Sequence, residues 1–393
     1  MLTDAHIDIV KSTIPLLENA GSALTDHFYQ RMFSHNPELQ DIFNMSNQHT
    51  GRQQVALFEA IAAYAKNIDN LGALTTAVER IAHKHTSFNI QAKHYEIVGM
   101  HLIETLRELA TEAFTPDVED AWTQAYLFLA QIFISRESEL YKLRSESFGG
   151  WAGTRKFTVI EKIVESELVK SFVFAPVDGK PVIDYVSGQY LGVELTPTDA
   201  EYKEIRQYSL STAANGKTYR ISVKREVNGV PGVVSNYLHD GVNVGDEVNL
   251  YAPAGDFYFI DRKAPVVLLS AGVGITPMQS ILETLAANDY SEPVHYLHAC
   301  ENSQQHSFNE RVEHLTADKP WQQYTWYRNE KSDSENIGHG VMDLSTRDLP
   351  LSNGDFYLCG PIAFMQFAKQ QLLSLGVNET RVHYEVFGPH ASL

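Results

Sequence analysis

Apolar and polar positions along the chain change rhythm twice. Early on, apolar residues return at intervals of three and four. Ile97, His101, Leu102, Thr105, Leu106, Leu109 and Phe114 trace one helical face, and Trp122, Ala125, Tyr126, Leu129, Ile132 and Phe133 trace another. Pro116 followed by Asp117 predicts the start of the second helix. Proline is confined here to Pro15, Pro37 and Pro116, so residues 1–138 read as all-α. A linker is expected over 139–151, around Phe148-Gly149-Gly150-Trp151. The period then falls to two. Residues 156–164, 188–195, 219–224 and 246–251 read as strands, separated by Asn215-Gly216, Asn228-Gly229 and Pro231-Gly232 turns. Strands this close, with no helices between them, predict an antiparallel barrel over 152–260. From 261 to 393 the pattern becomes that of an α/β parallel sheet. The run 265–269 is continuously apolar, as in a strand buried on both faces. Further strands are expected at 294–299, 324–327, 355–358 and 381–387, several with helical segments between.

Composition narrows the class. The chain has 393 residues, 44% apolar and 20% charged, enough for two to three ordinary globular domains. No apolar run approaches the roughly 18 residues of a spanning helix. The start, with two aspartates and no Lys or Arg from Met1 to Val10, does not resemble a signal peptide, so a cytoplasmic protein without a membrane anchor is expected. A formal charge of −18 disfavours nucleic acid and anionic lipid. Cys300 and Cys359 are the only cysteines and lack metal-site spacing.

Candidate chemistry sits at two kinds of position. Ser270-Ala271-Gly272-Val273-Gly274-Ile275-Thr276-Pro277 follows the buried strand and opens a helix, where a pyrophosphate is favoured. A tight turn is the plain alternative. Tyr357-Leu358-Cys359-Gly360-Pro361 is a second such junction. Cys359 and Gly360 would face a nicotinamide there, or be a packed thiol beside a turn. Arg206-Gln207-Tyr208-Ser209 offers a charge for phosphate, a ring for a flavin and a short hydrogen-bonding group. Gly232-Val233-Val234-Ser235 follows, ahead of a helix expected at 236–238.

Taken in order, these motifs and the aromatic near the C-terminus resemble the ferredoxin–NADP reductase superfamily over residues 150–393. The resemblance implies that Arg206, Gln207, Tyr208 and Ser209 bind FAD, with Tyr190 and with Val234 and Ser235. It places a nicotinamide dinucleotide on Ala271, Gly272, Val273, Gly274, Ile275 and Thr276, and beside Cys359 and Gly360. Phe387, in Val386-Phe387-Gly388-Pro389, would cover the flavin ring. The loop 300–305 after the strand at 294–299 holds no basic residue, which favours NADH, with NADPH as the alternative.

The helical part holds eight histidines, and spacing does not choose between His83 and His85 as a ligand. Tyr29, Phe43, Gln53, Leu57, His85 and Tyr95, in that order, resemble globins and specifically the flavohaemoglobins. Lys84-His85-Thr86-Ser87-Phe88 and His94-Tyr95 match that family's proximal segment. Ala92 departs from it, standing where a proline is common, which predicts a looser turn. The implied fold is multidomain: an all-α globin, an antiparallel β-barrel FAD-binding domain and an α/β parallel-sheet nicotinamide-binding domain. The implied cofactors are haem b, FAD and NADH. His85 would ligate the iron, and Tyr29, Phe43, Gln53 and Leu57 would line the distal pocket, although Phe43 and Leu57 fit any helical core and Tyr29 could serve an interface. On the bare sequence Glu137 is a solvated helix charge. The family pattern instead puts Tyr95 and Glu137 behind His85, and gives Lys84 and Glu385 roles in redox tuning.

The implied activity is nitric oxide dioxygenation by a cytoplasmic monomer acting on O2 and NO. A flavin-dependent reductase with haem as a side branch, or an oxygen sensor or store with a maintenance reductase, are the alternatives.

Overall fold

The computed structural model describes residues 2–43, 52–198, 200–227 and 231–388, without the side chains of residues 20, 52 and 53. The expected Asn228-Gly229 turn lies outside the described residues. Two compact units divide the chain. One comprises residues 1–147, 151–153 and 198–206, and the other 148–150, 154–197 and the chain from 207 onward.

The first unit is helical: α1 (Asp4–Ser12), α2 (Ile14–Ala20), α3 (Ser22–His35), α4 (Arg52–Lys66), α5 (Thr75–Thr86), α6 (Ala92–Leu109) and α7 (Pro116–Glu146). Phe28, Tyr29, Met32, Leu102, Leu106, Phe114, Trp122 and Ala125 form its main core. Buried polar groups there are bonded: the Trp122 indole N–H donates to Thr13 Oγ1 at 3.0 Å, and the Tyr64 hydroxyl to the Ala125 carbonyl at 2.8 Å. Helix α7 begins at Pro116, where a missing N–H costs nothing, with Thr115 as cap. It runs through residues 139–146, into the stretch read as linker. Leu109 is 47% exposed rather than on the buried face, because α6 ends there. The start of α6 is closed despite Ala92, since the Gln91 N–H donates to His94 Nδ1 at 3.0 Å.

Beyond the helices lies an antiparallel sheet of β1 (Thr154–Val164), β2 (Val169–Pro176), β3 (Tyr190–Leu195), β4 (Glu204–Ser209), β5 (Tyr219–Lys224) and β6 (Glu247–Tyr251), in the order β4-β3-β6-β1-β2-β5, with the first half of β4 counted in the first unit and the rest of the sheet in the second. A bridge from Leu210 to Ile221 joins the two edges and closes it, as an antiparallel barrel requires. Strand β2 is absent from the sequence-based expectations. Its alternation is broken by Ser171, which points inward to Ser222 Oγ at 2.7 Å. Helix α8 (Val233–Asp240) starts one turn earlier than expected and takes Val234 and Ser235 into its first turn.

A parallel sheet follows: β7 (Val266–Ala271), β8 (Val294–Cys300), β9 (Gln322–Tyr327), β10 (Ile337–His339), β11 (Asp355–Cys359) and β12 (Val382–Glu385), ordered β10-β9-β8-β7-β11-β12. Every residue of β7 is buried, which explains its unbroken apolar run. Helices α9 (Ile275–Ala287), α10 (Asn309–Thr316) and α11 (Ile362–Ser374) alternate with the strands. The last strand stops at Glu385, so Phe387 lies beyond it, 43% exposed. The short edge strand β10 is not among the expected ones. Among the described residues no helix is long and apolar enough to cross a membrane.

Candidate functional site

Three residues predicted to act together meet between α5, α6 and α7. The Tyr95 hydroxyl donates to Glu137 Oε1 at 2.5 Å. His85 Nδ1 lies 2.8 Å from the same oxygen and 2.9 Å from the Tyr95 hydroxyl. Glu137 is 2% exposed, so the bare-sequence reading of a solvated charge is wrong for it. Burial, with the Glu137 carboxylate alongside, pushes the Tyr95 phenol far above its ordinary pKa. Phe133 stacks on Tyr95 with ring centres 6.2 Å apart and lies 5.7 Å from His85. The Tyr126 hydroxyl donates to the Tyr95 carbonyl at 2.5 Å, and the Tyr141 hydroxyl to the Ile90 carbonyl at 2.7 Å. These two tyrosines hold the frame. Composition alone carried no sign of their role.

The structure separates His83 from His85. His83 is buried, with Nε2 3.1 Å from Glu79 and Nδ1 3.1 Å from Arg144. Both of its nitrogens are therefore engaged, and Arg136 completes the cluster on Glu79 at 2.6 and 2.7 Å. His85 uses only Nδ1, and no described residue bonds its Nε2. An Nδ1–H donating to a carboxylate leaves the lone pair on Nε2, the arrangement an iron-ligating histidine needs, so the residues fit a haem. His94 caps α6, and His101 Nε2 lies 2.9 Å from Asn36 Oδ1. Lys84 is half-buried at the end of α5.

Across the helical core, Tyr29 packs edge-on to Phe43 with ring centres 5.9 Å apart and stacks on Phe33 at 5.8 Å. Leu57 packs against the same cluster. The structure thus brings Tyr29, Phe43 and Leu57 together. The Gln53 side chain lies outside the described residues.

In the barrel, Tyr190 pairs with Ala254 through backbone bonds of 2.8 and 2.9 Å, and Gly255 sits against its ring. A side chain at Gly255 would come within 3.0 Å of Tyr190 Cε1, and its φ of +120° also favours glycine. Strand β4, carrying Arg206, Gln207, Tyr208 and Ser209, is the neighbour of β3. Arg206 is paired with Glu204 at 2.7 Å, so a phosphate would have to share that guanidinium. Gln207 Nε2 is buried and finds no hydrogen-bond partner among the described residues, which fits a flavin edge supplying the acceptor. Val234 and Ser235 are buried at the start of α8, where Ser235 Oγ accepts weakly from the Glu226 N–H at 3.4 Å.

The two glycine junctions of the parallel sheet converge. A side chain at Gly274 would come within 2.3 Å of the Cys359 carbonyl oxygen, and one at Gly360 within 3.1 Å of the Ala271 nitrogen. Gly272, at φ +54°, faces open space, leaving room for a ligand over the turn. Thr276 Oγ1 donates to the Val273 carbonyl at 3.0 Å and holds the turn, while Ile275 is buried beneath it. These residues fit a pyrophosphate at the start of α9. Glu385 lies opposite Cys359 in the β11–β12 register. Burial, and then Glu385, push the Cys359 thiol well up, so it remains protonated. Val386, Phe387 and Gly388 follow directly, and Pro389 lies outside the described residues. Near the loop after β8, Glu330 accepts from the Ser303 N–H and hydroxyl at 2.8 and 2.9 Å. Arg328, from the end of β9, lies 3.9 Å from Glu301. The fold therefore brings one basic and one acidic side chain to a loop that already carries Glu301 and has no basic residue of its own.

Comparisons with known proteins agree with this architecture. The globin family model matches residues 26–132, the oxidoreductase FAD-binding domain residues 156–259 and the oxidoreductase NAD-binding domain residues 268–370. A flavohemoprotein of Vibrio cholerae serotype O1 is 63% identical over 395 residues, covering 100% of both chains. A flavohemoglobin from Malassezia yamatoensis, solved with bound FAD and heme, is 26% identical. It covers 98% of this chain and 100% of its own, with a TM-score of 0.88. The FAD/NAD-binding domain of a nitric oxide dioxygenase from Vibrio cholerae O1 biovar El Tor is 56% identical. It covers 60% of this chain and 99% of its own, with a TM-score of 0.58.

Proposed function

This chain belongs to the flavohemoprotein family, a globin followed by FAD- and NAD-binding reductase domains, and from that premise we infer that it is a nitric oxide dioxygenase, converting NO and O2 to nitrate with electrons from NADH. One observation carries the choice of reaction: the buried Glu137 carboxylate, 2.8 Å from Nδ1 of His85. A carboxylate there makes the imidazole a stronger electron donor, which suits oxygen chemistry better than reversible storage.

Haem supplies the iron at which O2 and NO react, and FAD divides a two-electron donor into single electrons. The chain's own residues do the rest. Tyr95 and Glu137 hold the His85 ring in one orientation and keep the proton on Nδ1. Tyr29 provides a hydroxyl in an otherwise apolar cluster, where it can donate to a polar ligand. Phe43 and Leu57 exclude water around it. On the reductase side, Gln207 and its strand neighbours orient the flavin, and the glycine turn at 272–274 receives the dinucleotide. The protonated thiol of Cys359 adds no charge beside the nicotinamide.

NADH is the proposed donor, because a 2′-phosphate near residues 300–305 would meet the carboxylates of Glu301 and Glu330 beside Arg328. We further propose that the protein acts as a cytoplasmic monomer. The decisive experiment uses protein loaded with haem and FAD, with NO followed by an electrode in aerated buffer. Catalytic NO loss that needs both O2 and NADH and yields nitrate supports the reading. NADH oxidation that leaves NO untouched overturns it in favour of a flavin reductase.

A further inference from the structure

The barrel and the parallel sheet meet along one face of α9, the helix opened by the dinucleotide turn. Ser280 Oγ donates to the Thr212 carbonyl at 2.7 Å, and Ser187 Oγ lies 2.6 Å from Thr284 Oγ1. Between these contacts Glu283 collects donors from both sides. From the barrel it accepts from Thr212 Oγ1 at 2.6 Å, the Ala213 N–H at 3.2 Å and the Arg220 guanidinium at 2.7 Å. From its own side it accepts from Gln279 Nε2 at 3.1 Å, and Arg311 of α10 approaches to 3.5 Å.

Four charged side chains gather here, Arg220 buried and the others partly so. Arg311 also reaches toward Glu165 at 3.9 Å, and Glu165 accepts from Ser171 Oγ at 2.5 Å. Two carboxylates therefore face two guanidiniums. The Phe308 ring lies 5.7 Å from the Arg220 guanidinium and 5.8 Å from that of Arg311. Arg220 is itself fixed by the backbone carbonyl and Oγ of Ser211. Burying such a group stabilises a domain no better than apolar packing would. What it supplies is direction, because each donor reaches its oxygen in only one arrangement.

Placement gives that direction a use. Thr212 lies three residues past Ser209, the end of the strand assigned to the flavin. Glu283 lies two turns along α9 from Ile275, where the dinucleotide turn becomes helix. We propose that Glu283 is a positioning residue for hydride transfer, fixing the separation and tilt between the flavin-bearing strand and the dinucleotide-bearing helix. The proposal rests on the reading that residues 206–209 hold FAD and 271–276 the dinucleotide.

The test uses the full-length protein with both cofactors, as wild type, Glu283→Gln and Thr212→Val. Misplacing a donor by about an ångström costs up to about a hundredfold in rate. In Glu283→Gln, flavin reduction at saturating NADH should fall about tenfold to a hundredfold, with FAD content and NAD+ affinity within about twofold of wild type. The long-wavelength absorbance of a nicotinamide stacked on flavin should weaken in parallel. Thr212→Val, which removes one donor and leaves the charges paired, should move both readouts less and in the same direction. Unchanged rate and absorbance in both variants would overturn the proposal. So would loss of FAD, or weakened NAD+ binding that accounts for the whole effect, since the residue would then only hold the fold. A wild type whose flavin NADH cannot reduce would instead remove the cofactor assignment beneath it.

Discussion

Tyr95 and Glu137, 42 residues apart, share a 2.5 Å hydrogen bond whose acceptor oxygen also faces His85 Nδ1. Replacing the carboxylate by an amide keeps the shape and removes the charge. In Glu137→Gln the imidazole becomes a poorer donor, so the midpoint potential of the loaded haem should rise and NO turnover fall about tenfold to a hundredfold. Spectroelectrochemistry and the NO electrode measure the two. An unchanged potential would show that the contact is structural only.

His83 and His85 should behave as opposites. His85→Ala should abolish NO consumption and weaken haem retention, while flavin reduction by NADH continues. His83→Ala leaves Glu79 and Arg144 each short of a partner. It should cost about 1–3 kcal/mol of stability in the helical unit, with the haem still ligated. Thermal unfolding followed at the haem band and in the far ultraviolet separates the two. A haem spectrum altered by His83→Ala alone would reverse the assignment.

Acid should weaken the parallel-sheet domain. His298 and His306 are buried and stacked with ring centres 5.4 Å apart, and Ser270 Oγ lies 2.8 Å from His298 Nδ1. Burial pulls His306 down to about 4, and burial together with His306 pulls His298 well down. Unfolded, both titrate near about 6.5, so the unfolded chain binds more protons between those values. Stability is then full above about pH 6.5 and lost as pH falls toward 4. Denaturant unfolding read through flavin fluorescence should show that slope, and His306→Gln should flatten it. An identical slope in the variant would remove these histidines as its source.

The two glycines of the dinucleotide turn should respond differently. Gly274→Ala drives a methyl group into the Cys359 carbonyl, and that contact is backbone on both sides. It should abolish measurable NAD+ binding or prevent the domain from folding. Gly272→Ala meets no atom within 4 Å and carries only the strain of φ +54°, a cost of about 1 kcal/mol. It should keep the fold and weaken NAD+ binding by crowding the ligand. Calorimetry of NAD+ binding distinguishes the two, and equal behaviour would argue against a ligand above Gly272.

Much of this protein is determined locally. The 3.6-residue period of α6 and α7, the unbroken apolar run of β7 and the glycine turn after it need only neighbours in sequence, and their order suffices to name the three folds. What the tertiary structure decided depends on partners far apart in the chain. Ser171 hid β2 because an inward serine breaks alternation, and only Ser222, across the sheet, satisfies it. Glu137 reads as solvent-facing until His85 and Tyr95 are brought to it. His83 and His85 share spacing, helix and residue type. They differ in burial and in which of their nitrogens are engaged, and Arg144 and Glu137 settle the latter from α7. Likewise Arg328 near Glu301, and Cys359 against Gly274, follow from how the parallel strands are paired. Periodicity reports burial of apolar groups, which repeats along an element. The satisfaction of buried polar groups is pairwise and has no period, so only the assembled fold reveals it.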